Sequence, residues 1–411
     1  MQEERDVVIV GGGPAGLAAA LALDKLGIHD IVVLERESQL GGILRQCIHD
    51  GFGLHRFGKS LSGPEYAEYF IDEILKRNIE YHTDATVVKF SSDKTVEAVT
   101  PSGILCYSSG AVVLTMGCKE RSRGSIMIPG ERPSGVFTAG SAQAYMNLYN
   151  RMPGHEVVIL GSGDIGLIMA RRLTLEGAHV KAVFEIQDHP NGLERNIVQC
   201  LDDYDIPLYL GHTVTDIHGK SRLEGVTVSE VDEYFRPVEG TEKFYPCDTL
   251  ILSVGLRPDN GLLKDAGILI DPRTDGAVVD EHLMTSIPGI FSSGNVLHVH
   301  DLVDFVSLES ERLAASVSDY LSGKLNSGMN AAVRCGSGIG HVVPQKVTSE
   351  DAFSMSLRVN AVKKDAVIRI SQNGRDIVIE KRRKVNPAEM IILDIKSGVV
   401  SPEGDLEVSL S

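Results

Sequence analysis

No uninterrupted apolar run in the 411 residues approaches the roughly eighteen that a membrane-spanning helix needs. The apolar core of a secretory signal is missing too, because the charged segment Met1–Arg5 leads straight into a strand. Cysteine is sparse: Cys47, Cys106, Cys118, Cys200, Cys247 and Cys335 are scattered, with no CxxC pair among them. That scatter excludes a disulfide scaffold and suits a reducing cytosol. Basic charge is also in short supply, 40 Lys and Arg against 56 Asp and Glu, for a net charge of −16. Nucleic acid and anionic membrane are thereby disfavoured as main partners, since phosphate contacts need clustered Lys and Arg. The basic run Lys381–Lys384 reads as a solvated strand end. A cytoplasmic protein is expected, reaching a membrane only through a partner.

The chain is long enough for two or three domains. Two stretches read as strand, glycine turn, helix, strand. One runs through Asp6–Val10, Gly11–Gly16, a helix to Leu26 and Ile31–Leu34; the other through Glu156–Leu160, Gly161–Gly166, Leu167–Glu176 and Val180–Phe184. Each strand is a short, nearly continuous apolar run, as in parallel strands covered on both faces. The duplication predicts two doubly wound domains. The last eighty or so residues change character: Ser354–Val362, Ala366–Gln372 and Arg375–Lys381 alternate apolar and polar, and Asn373-Gly374 forms a tight turn between the last two. A small antiparallel β domain is expected over 331–411.

In the first unit, Gly11 permits the tight turn, Gly13 lets backbone approach a pyrophosphate and Gly16 lets helix and strand pack closely. The helix N-terminus, starting at Pro14 and Ala15, offers free N–H groups to phosphate. Glu35 follows Gly16 by nineteen residues, where a carboxylate accepts the hydroxyls of an adenosine ribose; Arg36 follows it. The second unit repeats the pattern with Gly161, Gly163, Asp164, Ile165, Gly166 and, at the same spacing, Glu185. An acid there repels a 2′-phosphate, and no Arg follows until Arg195, which favours NAD(H) over NADP(H). The competing reading is a glycine turn that serves packing alone, or a nucleotide fold that has lost its ligand.

Two such units in one chain resemble the two-dinucleotide-binding-domain flavoproteins, relatives of glutathione reductase and NADH peroxidase, over roughly residues 1–325. The resemblance rests on Gly41-Gly42 after the ribose acid, on Val112–Gly117 followed by Arg121, on Ile251–Pro258, and on Pro288–Asn295. It implies an α/β fold of two Rossmann-like domains, with a discontinuous FAD domain over 1–125 and 259–330 and an inserted NAD domain over 126–258. It adds Gly41, Gly42, Gln46, Thr115, Gly117, Arg121, Gly294 and Asn295 to the FAD site, and Gly255 to the NAD site. The family usually has Asp where Asn295 stands. The resemblance also implies a helix over about 302–321 whose N-terminus faces the flavin pyrimidine, favouring a reduced, anionic flavin.

Disulfide reductases of this kind carry a CxxxxC or CxxC pair, and here Gly41-Gly42 is followed by Cys47 alone. Gln46–Gly58, Leu297–Asp304 and Val342–Gln345 are similar to a bacterial flavoprotein associated with FAD-dependent glycerol-3-phosphate dehydrogenase, a cousin of subunits in opine, proline and cyanide-forming dehydrogenase complexes. That resemblance implies hydride transfer between NADH and flavin, with electron exchange to a partner like glycerol-3-phosphate dehydrogenase. It also implies a small cysteine-rich protein as a second candidate partner, and an oligomer. Cys335 is the one cysteine beyond residue 330, so a Cys₄ iron–sulfur cluster would sit on a partner. Two alternatives stay open: an NADH oxidase or peroxidase using Cys47, and a non-catalytic nucleotide-binding component of a dehydrogenase complex. Cys47, His49, His55, His298 and His300 suit a metal site, a set of bonds to the flavin, or a contact between subunits. Their spacing matches no known ligand pattern, so no metal is expected, and Cys47, His49 and His298 stand as the candidate catalytic residues.

Overall fold

Continuous apolar strands dictate the first half of the fold. In the computed structural model, which describes residues 2–325 and 328–411, Val7–Val10, Ile31–Leu34 and Ala111–Leu114 are all buried. Met1, Asn326 and Ser327 lie outside the described residues. The chain divides into two compact units, residues 1–118 with 258–411, and residues 119–257.

The first unit is built on a sheet ordered Glu80–His82, Ile31–Leu34, Gln2–Val10, Gly103–Leu114, with Ile290–Ser292 parallel on the far side of the last strand. Thr95–Thr100 and Thr86–Phe90 extend it as an antiparallel meander. Register makes this sheet a platform. Val10 is level with Leu34 and with Leu114, and Leu114 with Ser292. Gly11, Glu35, Thr115 and Ser293 therefore leave the sheet along one edge, the carboxyl ends of the strands, where open α/β sheets take their ligands. The small residues Ala15, Ala18, Ala19 and Ala20 of the Pro14–Lys25 helix are buried, and that helix packs on the Val303–Leu321 helix.

The second unit is an all-parallel sheet ordered Val136–Thr138, Thr249–Leu252, Glu156–Leu160, His179–Glu185, Leu208–Leu210. Leu160 is level with Phe184 and Leu252, so Gly161, Glu185 and Ser253 again leave at one level. An antiparallel sheet of His212–His218, Gly225–Glu230 and Lys243–Pro246 completes this unit.

Residues beyond 330 form two sheets over their own apolar core. The Lys363–Gln372 and Arg375–Val385 hairpin turns through Asn373 and Gly374, at φ 52° and 75°, the left-handed pair that a two-residue hairpin turn requires. The pairing there is mostly antiparallel, as expected, with one departure: Ala331–Cys335 runs parallel to Leu406–Leu410. These residues also belong to the first compact unit, and Val343 sits in that unit's core. Glu281 accepts the N–H groups of Thr348 and Ser349 at 2.8 and 2.6 Å. Arg358 donates to Asp301 Oδ1 and to Val299 O, both at 3.2 Å.

Candidate functional site

Each unit carries a cradle made from three strand ends. In the first, a Cβ on Gly16 would stand 1.9 Å from Gly11 O, and one on Gly11 (φ 109°) 2.5 Å from Thr115 O, so only glycine permits this approach of helix and sheet. Thr115 Oγ1 donates to Val10 O and Gly11 O at 2.9 and 3.0 Å, pinning the turn. Glu35 is buried, and its carboxylate accepts Gly12 N–H at 2.7 Å and Glu37 N–H at 2.8 Å. Each oxygen keeps a lone pair for a ribose hydroxyl. Gly41 donates to Gly12 O at 2.9 Å, which brings Gly42 against Gly13. The Pro14–Lys25 helix has no side-chain cap at Gly13, so its first N–H groups stay available to phosphate.

The second cradle repeats the plan. A Cβ on Gly161 would lie 2.2 Å from Ser253 O, and one on Gly166 2.5 Å from Ser253 Cβ. Ser253 Oγ accepts Gly166 N–H at 3.0 Å and donates to Gly163 O at 3.2 Å. Glu185, buried like Glu35, accepts Ser162 N–H at 2.9 Å, Ser162 Oγ–H at 2.6 Å and Gln187 N–H at 3.0 Å. Asp164 turns back to accept Leu193 N–H at 2.8 Å and Asn196 Nδ2–H at 2.6 Å. Ile165 packs at the edge of that unit's core.

A pyridine nucleotide-disulphide oxidoreductase family model matches residues 5–316. The chain belongs to that family. The family uses FAD and NAD(P)H, and the two cradles fit dinucleotides on the observations above. This member is an FAD-dependent NAD(P)H oxidoreductase. It is 27% identical over 349 residues to the glutamate synthase [NADPH] small chain of Mycobacterium tuberculosis, covering 77% of this chain and 67% of that one. It is 28% identical over 295 residues to a hydrogen cyanide synthase subunit of Pseudomonas protegens, covering 66% and 60%. Thioredoxin reductase of T. acidophilum superposes with a TM-score of 0.63 at 24% identity, over 77% of this chain and 99% of that one, a likeness of fold. Among the described residues, no helix of this member is long and apolar enough to cross a membrane.

The remaining sequence-predicted residues scatter. Arg36 is exposed, 3.7 Å from Asp259; Gln46 is buried; Gly117 takes a positive φ of 74°. Arg121 falls in the second unit, where its N–H donates to Gly255 O at 3.0 Å. Gly294 (φ 70°) abuts Ala15 at the head of the first helix. Asn295 Oδ1 accepts His300 N–H at 3.0 Å, which gives the amide a structural duty within its own turn.

Two candidate catalytic residues need correcting. His298 is fully buried, its Nε2–H bonded to Glu309 at 2.8 Å, so it cannot meet a substrate or a docking partner. The thiol of Cys47 bonds Ile43 O at 3.3 Å and burial pushes it up to about 12, leaving it neutral and a poor nucleophile at ordinary pH. The His49 ring lies tilted against Phe52, centroids 5.0 Å apart, and His55 against Phe305 at 5.3 Å. The Gly53–Phe57 turn is anchored instead by Asp304, which accepts Gly53 and His55 N–H at 3.0 and 2.8 Å, and by the Arg56–Glu311 ion pair. The roles of Asp304 and Glu309 carry no local sequence signal, because their partners lie outside their own helix. Ser253 was legible: Leu252-Ser253-Val254-Gly255 repeats Leu114-Thr115-Met116-Gly117.

Proposed function

We propose that this enzyme exchanges electrons between NADH and a partner dehydrogenase, glycerol-3-phosphate dehydrogenase being the partner the residue pattern favours. One observation carries the reading: beside the Gly41-Gly42 pair stands a single cysteine, and its thiol is held neutral. Disulfide reduction at that position needs a second thiol, so electrons arriving in the first unit have to leave for an acceptor outside it. FAD, when bound, supplies the hydride chemistry. The chain's own residues would bind and orient it: Gly13 and the free N–H groups of the following turn would hold the pyrophosphate, and Glu35 the ribose. Glu185 supports NADH as the donor, because a buried carboxylate bonded to two backbone N–H groups is poorly placed to accept a 2′-phosphate. The relative from Pseudomonas protegens is by name one subunit of a hydrogen cyanide synthase, which supports a partner here. The partner's identity rests on Gln46–Gly58, Leu297–Asp304 and Val342–Gln345.

The test is anaerobic stopped-flow at the flavin band. NADH should bleach the flavin of the isolated chain, whereas glycerol 3-phosphate should bleach it only after the cognate dehydrogenase is added. Bleaching by glycerol 3-phosphate without the dehydrogenase, or no exchange in the mixture, defeats the partner assignment.

A further inference from the structure

Behind the Gly294–Asn295 turn lies a buried group that neither cradle uses. His298, His300 and Glu309 each offer one donor atom, all within 4.8 Å of one another. Glu309 projects from the Val303–Leu321 helix, and its carboxylate accepts Gly294 N–H at 2.8 Å through Oε1 and His298 Nε2–H at 2.8 Å through Oε2. His300 Nδ1 faces two acceptors, His298 O at 3.0 Å and Asn295 Oδ1 at 3.3 Å, so Nδ1 carries the ring hydrogen. In the neutral ring, Nε2 is then a bare lone pair, 3.5 Å from Glu309 Oε2 and without a hydrogen bond. Two acceptors face each other inside the protein, an arrangement that costs free energy unless a cation lies between them.

We propose that His298 Nε2, His300 Nε2 and Glu309 Oε2 bind a divalent transition-metal ion of the zinc class. The two separations from Glu309 Oε2, 2.8 Å to His298 and 3.5 Å to His300, bracket the roughly 3.3 Å edge of a tetrahedron with metal–ligand bonds of about 2.0–2.1 Å, and the third lies within 4.8 Å. The outer contacts of two of the three ligands also fit, since metal-bound imidazoles and carboxylates are oriented by hydrogen bonds from their other atoms. His300 has that bond from Nδ1–H to His298 O, and Glu309 has it from Gly294 N–H. On binding, the His298 hydrogen moves from Nε2 to Nδ1, and a buried water takes the remaining position. Asn295, where the family usually has Asp, leaves Glu309 as the one carboxylate of the set. Such an ion ties the turn bearing Gly294 to the helix behind it, a structural duty for this strand end.

The nearest further imidazole is His341, its ring 6.1 Å from that of His298.

The experiment uses the FAD-loaded full chain, purified without metal-affinity resin, supplied with Zn(II) and desalted. Elemental analysis should give about one zinc per chain, and zinc-edge X-ray absorption a shell of nitrogen and oxygen at about 2.0 Å with imidazole scattering and no sulfur. His300→Gln should lose at least nine-tenths of the zinc while keeping FAD. Less than about a tenth of an equivalent in the wild type, a sulfur-containing shell, or full zinc retention by His300→Gln would overturn the site; the wild-type spectrum decides the matter even if the variant misfolds. A ¹⁵N spectrum of the metal-free protein showing His300 as imidazolium would likewise overturn it, assigning the intervening cation to a proton.

Discussion

The two cradles share one plan and differ in how the glycine loop is covered. Both use a glycine that only a bare Cα fits, a hydroxyl from the neighbouring strand end, and a buried acid that accepts two backbone N–H groups. In the first, the loop is covered by backbone: Gly12 has no side chain, and a Cβ there would already meet Leu40 at 2.6 Å. In the second, Ser162 occupies the equivalent place, and its hydroxyl accepts Asn191 N–H at 2.9 Å while Asp164 holds Leu193. The first loop thus leaves bare backbone where a bound pyrophosphate would approach. The second is closed by side-chain hydrogen bonds, individually worth about 1 kcal/mol, which a ligand that comes and goes can exchange for its own.

The comparison breaks first at the helix glycines. Gly16→Ala drives a methyl into backbone, whereas Gly166→Ala meets the Ser253 side chain. We expect Gly16→Ala to abolish FAD retention and cost more than the 1–3 kcal/mol or so typical of overpacking, and Gly166→Ala to fall inside that range with FAD retained. Chemical denaturation and flavin content read both, and equal losses would mean that the two loops are equally rigid. The acids come next. Glu185→Ala should narrow the NADH-over-NADPH preference by roughly tenfold to a hundredfold, the worth of about 1.5–3 kcal/mol in bonds to a charged group. Rates of flavin reduction measure this, and an unchanged ratio would remove Glu185 from cofactor selection.

Smaller effects belong to the hydroxyls. Thr115→Val and Ser253→Ala should each cost about 1 kcal/mol in unfolding free energy, with Ser253→Ala the larger because it also strands Gly166 N–H. The smallest effect is expected at Cys47. Because burial raises its pKa, the thiol stays protonated from neutral pH up toward about 12. Alkylation should therefore show no inflection between about pH 8 and 9, where a solvated thiol titrates. Cys47→Ser should change NADH reduction less than about twofold, and an alkylation inflection in that range would restore a reactive thiolate.

Most of this plan was readable from residues alone. The glycine spacings, Glu35, Glu185 and the continuous apolar strands each report a local backbone requirement, and local requirements leave a local pattern. What escaped was assembled across the chain. Glu309 lies eleven residues beyond His298 on an ordinary amphipathic helix, and nothing in that spacing says that it turns inward beneath Gly294. Cys47 looked reactive because sequence shows its neighbours and not the desolvation of its thiol. The C-terminal region reads as a domain of its own because its hairpin pattern is self-contained, while Glu281 and Arg358, which bond it to the residues before 330, carry no periodic signal.

The order in which the chain leaves the ribosome gives the split first unit a further meaning. Its central strand Gly103–Leu114 waits for Ile290–Ser292, and its first helix waits for Val303–Leu321, both synthesised after the whole of residues 119–257. The strands of residues 136–252, by contrast, find all their parallel partners among themselves. Since domains fold as units during synthesis and distant pairings form slowly, the inserted unit matures first. The N-terminal strands remain an unfinished, apolar sheet edge until residues 290–321 have emerged, and this is the interval in which their exposed apolar surface is most open to misassociation.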